Sequence, residues 1–106
     1  MPTIHLQFTL FSAFYSPLIS TMTGNFLADE GFDYDWSVAK PGVSALEALK
    51  DGKAQVVQST ISQGFSSLEN GNQPQARHFG LINNMDGFFI TGRENAQNFK
   101  WSSLEG

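Results

Sequence analysis

Four groups of side chains in this 106-residue sequence have the types and spacing to hold a small molecule. They are the aromatic pair Phe14-Tyr15, the turn Lys40-Pro41-Gly42-Val43, the hydroxyl and amide run Ser59-Thr60-Ile61-Ser62-Gln63, and the amides Asn83-Asn84. Hydroxyls and carboxamides donate and accept hydrogen bonds, and rings offer flat apolar faces. A glycine before a helix lets an anionic group approach the backbone. Taken together they suit a small polar ligand, planar or anionic. Along the sequence they include no carboxylate pair, no clustered histidine and no nucleophile with a base beside it, so binding without bond-making is the expectation. Phe14, Tyr15, Pro41, Gly42, Val43, Ser59, Thr60, Gln63 and Asn84 are the candidate ligand contacts. Each also has a plain structural use: Phe14 and Tyr15 could pack under a helix, Ser59, Thr60 and Ser62 could cap one, and Gly42 and Asn84 could simply turn the chain.

Other chemistries are excluded or unsupported. Without cysteine there are no thiolate metal sites, disulfides or cysteine nucleophiles. His5 sits in an alternating run and reads as structural, while His78 follows Arg77 at a strand start; neither has a partner at metal-ligand spacing. No catalytic residue, metal or cofactor is expected. A formal charge of -4, with six scattered basic residues, argues against nucleic acid or an anionic membrane as partner. No apolar run approaches the ~18 residues of a membrane span, and residues 1–10 lack the basic start and long apolar stretch of a secretion signal. Ten phenylalanines against two tyrosines and two tryptophans suit an apolar core or a ligand cleft.

The elements that must position these residues follow from periodicity. Ile4, Leu6, Phe8 and Leu10 alternate with polar residues, as in a strand. Ser16-Pro17 opens a helix whose apolar face is Leu18, Ile19, Met22, Phe26 and Leu27, with Gly31 as its stop and Gly24 as a point of close packing. A second strand spans Phe32 to Ala39. A short helix follows with Val43, Leu46 and Leu49 on its buried face and ends at Asp51-Gly52. A third strand covers Ala54 to Gln58, then a helix carries Ile61, Phe65 and Leu68. Residues 69–74 read as a turn, His78 to Ile82 and Phe88 to Thr91 as further strands, and the rest as a polar tail. Strand–helix units repeated with short connections predict a single α/β domain, a mostly parallel, doubly wound sheet. Such sheets bind ligands at the carboxyl ends of their strands, where the four groups fall. The clean alternation of the first strand is unusual, since central parallel strands tend to be apolar on both faces.

Several runs resemble one family in order. Gly24-Asn25-Phe26-Leu27-Ala28-Asp29-Glu30-Gly31-Phe32-Asp33-Tyr34 is similar to a signature of nitrate/sulfonate/taurine and thiamine-pyrimidine-precursor binding proteins. Lys40 to Leu49 resembles the loop and helix after that family's second strand. Asp51-Gly52-Lys53-Ala54-Gln55-Val56-Val57 resembles its next step, with Gln55 where aspartate is usual. Phe99 to Gly106 resembles the segment entering a second lobe, with Ser103 in an aspartate's place. The resemblance implies the first lobe of a type II periplasmic-binding-protein fold over residues 1–92, with 93–106 starting the crossover to a second lobe outside this sequence. It further implies a protein two to three times this length that delivers a small-molecule ligand to an ABC permease from a periplasmic or other extracytoplasmic location. An exposed sheet edge, and self-association through it, would follow from a single lobe. The same superfamily includes a pyrimidine synthase of thiamine biosynthesis, which would require a cysteine-rich iron-binding motif absent here, and a sensory ligand-binding domain is a third possibility.

Overall fold

A computed structural model describes residues 1–73, 76–84, 89–93 and 97–105. Its centre is β1 (Thr3–Phe8), flanked on one side by β2 (Asp33–Val38) and on the other by β3 (Val56–Gln58), all parallel, in the order β2-β1-β3. β1 runs beside β2 through six residue pairs, from Thr3 opposite Asp33 to Phe8 opposite Val38, and beside β3 through three. The α/β expectation is met at this level.

Alternation along β1 divides the sheet into two unlike faces. Paired positions of neighbouring strands share a face, so Ile4, Leu6, Phe8, Trp36 and Val56 lie on one side and His5, Gln7, Asp35, Ser37 and Val57 on the other. Leu6 and Phe8 are buried, Phe8 completely, and with Met22 they form the core. Tyr15, Leu18, Ile19 and Leu27 close over it from α1 (Ser16–Thr23), the 3-10 turn before it and α2 (Phe26–Asp29). Crossovers between parallel strands are right-handed. Under that rule the step from β1 to β2 and the return step from β2 across β1 to β3 place their helices on opposite sides. The return helix is α3 (Ala45–Lys50).

The single helix expected from Ser16 to Glu30 is two. α1 ends where Gly24 N–H bonds to Ser20 O at 2.8 Å, and Asn25 then takes a left-handed backbone with φ of 64°. That break turns Phe26 outward, to 59% exposure, while Leu27 still reaches the core. Only glycine fits the corner: a Cβ at Gly24 would stand 2.7 Å from the Phe26 ring and 2.8 Å from Ser20 O. The short helix also differs from its expected face. The Ser44 hydroxyl accepts from Leu46 N–H and starts α3 there, which leaves Val43 in the preceding turn. Ala45 and Ala48 are the buried residues, and Leu46 and Leu49 are half-buried.

β3 is short because two glutamine side chains substitute for ladder bonds at its ends. Gln55 Oε1 accepts from His5 N–H at 2.8 Å, while Gln55 N–H donates to His5 O at 3.0 Å. The buried Gln58 Oε1 accepts from both Thr9 N–H, at 3.1 Å, and Thr9 Oγ1, at 2.8 Å. After β3 come a 3-10 turn (Ile61–Gly64) and α4 (Phe65–Glu69).

Two further expected strands, His78 to Ile82 and Phe88 to Thr91, are not formed among the described residues. Residues 78–82 and 89–91 pair with no strand, and residue 88 lies outside the described residues, as do 85–87 of the loop before it. A run such as His78 to Ile82 becomes a strand only where a neighbour accepts its backbone bonds, and its Phe79 and Leu81 side chains are almost fully exposed. No described residue after Gln58 is buried. Among residues 97–105 the one regular element is the 3-10 turn Trp101–Leu104. The radius of gyration, 17.9 Å, exceeds the ~13 Å of a compact domain of this length.

Two substitutions test this construction. Gly24→Ala is expected to destabilise the fold by about 1–3 kcal/mol, read by chemical denaturation, because both the ring and a backbone oxygen must move. Gln58→Leu removes the acceptor for Thr9 and should cost about 1–3 kcal/mol. A double-mutant cycle with Thr9→Val should show coupling between the two side chains. Independence of the two substitutions would deny Gln58 its role.

Candidate functional site

Residues just past the carboxyl ends of β1 and β2, with one from the turn after β3, line an open cleft of about 460 Å³. Thr9 follows β1, Ala39 to Ser44 follow β2, and Gln63 comes from the 3-10 turn after β3. The β2 contribution is a tight turn: Val43 N–H bonds to Lys40 O at 3.0 Å, Pro41 takes the first corner, and Gly42 has φ of 78°. Proline followed by a residue with positive φ is the pattern of a type II turn. Nothing lies within 4 Å of where a Gly42 Cβ would be, so backbone geometry and not crowding calls for glycine, and the space beside it is open. Among the residues lining the cleft, Lys40 carries the positive charge and none carries a negative one. Thr9, Ser44 and Gln63 add polar groups, while Ala39, Pro41 and Val43 add apolar surface. The arrangement can hold a small polar molecule or an anion beside apolar groups.

Pro41, Gly42, Val43 and Gln63 of the sequence candidates line this cleft. The others do not. Tyr15 packs against the Leu6–Phe8–Met22 core, the structural use open to it from sequence. Phe14 stands half-exposed with its ring edge-on to Tyr15, and its carbonyl accepts from Asn83 Nδ2 at 2.7 Å. Asn84, the amide chosen from sequence, is exposed beside it. Ser59 borders a separate hollow of about 50 Å³ near Leu46, Leu49 and His78. The Thr60 hydroxyl lies 2.9 Å from that of Ser62, and Thr60 makes no side-chain cap to the 3-10 turn it precedes. Thr9, Ala39, Lys40 and Ser44 line the cleft too but were not among the candidate contacts, Lys40 reading from sequence as a solvated side chain. Their signal was available: each lies within three residues of a strand end or helix start, where a parallel sheet places its ligands.

A second polar group lies on the face of the sheet opposite the core. His5 Nδ1 is 3.2 Å from Asp35 Oδ2, and His5 Nε2 is 2.9 Å from Ser37 Oγ. Gln7 Nε2 donates to the same Ser37 Oγ at 3.4 Å. Asp35 Oδ1 meanwhile accepts from Trp36 N–H at 2.7 Å, which orients the carboxylate. This network answers the unusual alternation of β1, because the polar face of the central strand bonds to the polar face of β2. It brings a serine and a base together, which the sequence did not show, since His5 stands 30 and 32 residues from its partners. Among the described residues no group of three or more histidine, aspartate or glutamate side chains could hold a metal ion, and no helix is long and apolar enough to cross a membrane.

No protein-family model matches the chain, and no solved structure matches it significantly. One similarity is found among characterised sequences. Over 95 residues the chain is 24% identical to "Putative binding protein YtlA" of Bacillus subtilis (strain 168). That alignment takes in 90% of this chain and 28% of the relative, so the chain spans little more than a quarter of the relative's length.

Proposed function

We propose that this chain takes part in the non-covalent capture of a small polar or anionic solute, of sulfonate, nitrate or pyrimidine-precursor type, for delivery to an ABC importer. The observation that carries the reading is the cleft past the carboxyl ends of β1 and β2, closed by Gln63 from the turn after β3, with Lys40 at its rim and apolar groups beside it. The description of its distant relative as a binding protein points the same way. In this reading the chain is one lobe of a two-lobed protein in the type II periplasmic-binding manner, working outside the cytoplasm. The solute first meets the strand ends and is enclosed when a second lobe closes over them by hinge rotation. Affinity then belongs to the closed state, where water is excluded and Lys40 faces the solute in a less polar medium.

A thermal-shift comparison tests this. The chain and the longer protein carrying it would be screened against alkanesulfonates, nitrate, bicarbonate and aminopyrimidines. A cognate solute at a hundred times its Kd should add about 2.7 kcal/mol to the longer protein. Lys40→Ala should weaken an anion's effect without lowering the unliganded melting temperature. If no compound of these classes stabilises the longer protein, solute capture is the wrong reading.

A further inference from the structure

The chain of side chains on the polar sheet face has a direction set by chemistry. An aspartate carboxylate only accepts hydrogen bonds, so the hydrogen between Asp35 Oδ2 and His5 Nδ1 belongs to the histidine. In the neutral ring Nε2 is then the acceptor, and the 2.9 Å contact to Ser37 Oγ is a bond donated by the serine hydroxyl. A carboxylate orienting an imidazole whose other nitrogen accepts a serine proton is the arrangement that activates serine for acyl transfer on unrelated folds. The imidazole is also held from behind. Its residue's N–H and carbonyl are both bonded to Gln55, the residue before β3, so the ring is carried on the most constrained strand of the sheet.

We propose that Ser37 is a nucleophile toward small, unhindered carboxylic esters, with His5 as its proton acceptor and Asp35 as the residue that positions His5. The proposal goes beyond solute capture and does not rest on it. Ser37 Oγ forms a bond to the ester carbonyl carbon as its proton passes to His5 Nε2. The carbon–oxygen bond to the leaving alcohol then breaks, and that alcohol takes the proton from His5. Water repeats the sequence on the acyl-serine, releasing the carboxylic acid and restoring Ser37. Gln7 Nε2, 3.4 Å from Ser37 Oγ, donates to the attacking oxygen itself and helps to hold it in place. Thr9 and Ala39, which line the cleft, lie two residues beyond Gln7 and Ser37 along the same strands, about 7 Å away.

The test is site-mapped labelling of the folded chain with a fluorophosphonate and, separately, with p-nitrophenyl acetate, read by mass spectrometry of the peptides. Ser16 and Ser20, both exposed, serve as internal controls. Ser37 should be modified at least about a hundredfold faster than either, the advantage expected of a positioned base. His5→Gln should abolish that preference while keeping the circular dichroism of the parent. Asp35→Asn should reduce it, and Asp35→Glu should restore part of the loss, which a merely structural aspartate would not do. If His5→Gln fails to fold, the parent chain unfolded in urea replaces it, and the preference for Ser37 must vanish there. Equal labelling of Ser37 and Ser20 in the folded parent overturns the proposal, as does a preference that survives loss of His5.

Discussion

The fold depends on satisfying the backbone of β1 on both flanks at once. A central strand surrounded by protein must bond its N–H and C=O groups, since each one left unpaired costs about as much as several favourable contacts return. β2 satisfies one flank along its whole length. β3, with three residues, cannot satisfy the other, and Gln55 and Gln58 complete it with side-chain carbonyls. Gln58 is buried and accepts twice from Thr9, so the point where β1 leaves the sheet is fixed in place. Because Thr9 also borders the cleft, the same interaction that ends the sheet sets one wall of the candidate site.

The two faces of β1 then divide the work. One gathers Leu6 and Phe8 under α1 and α2 and supplies the core. The other carries His5 and Gln7, which bond across to Asp35 and Ser37 of β2. A polar face on a central parallel strand is costly if unpaired, and the hydrogen bonds of that network offset the cost. It also places an imidazole and a hydroxyl in contact. Packing, ladder and site therefore share one six-residue strand, with little freedom to change any of them separately.

The cleft combines one cation, several hydroxyl and amide groups and a modest apolar surface. Such a mixture selects by charge and size more than by a detailed hydrogen-bond pattern, which fits a lobe that meets the solute before enclosure. The aromatic residues take another part. Phe11 stacks on Trp36 with ring centres 4.6 Å apart, and both meet Phe8 edge-on, so these rings extend the core along the apolar face and do not line the cleft.

The sequence by itself determined the three strands, the existence of helices between them, the parallel α/β class and two of the segments that rim the cleft, the turn at residues 40–43 and the run ending at Gln63. These follow from local periodicity, caps and turn residues: Ile4–Phe8 alternate, Ser44 caps, and Pro41-Gly42 turns whatever lies nearby. It also indicated Gly24 as a point of close approach, although the resulting break in the helix, and the outward turn of Phe26, depend on how that ring meets the backbone. Tertiary structure decided the rest. His78 to Ile82 has the composition of a strand, yet strand formation needs a neighbour's hydrogen bonds, and a composition cannot state whether one is present. Tyr15 was assigned to the core by its packing against Leu6, Phe8 and Met22, and Thr9 and Ser44 to the cleft by the way the chain beyond β1 and β2 comes together. The contact among His5, Asp35 and Ser37 is the clearest case. No spacing along the chain encodes it, because only the parallel register of β1 against β2 brings residues 30 apart within a hydrogen bond.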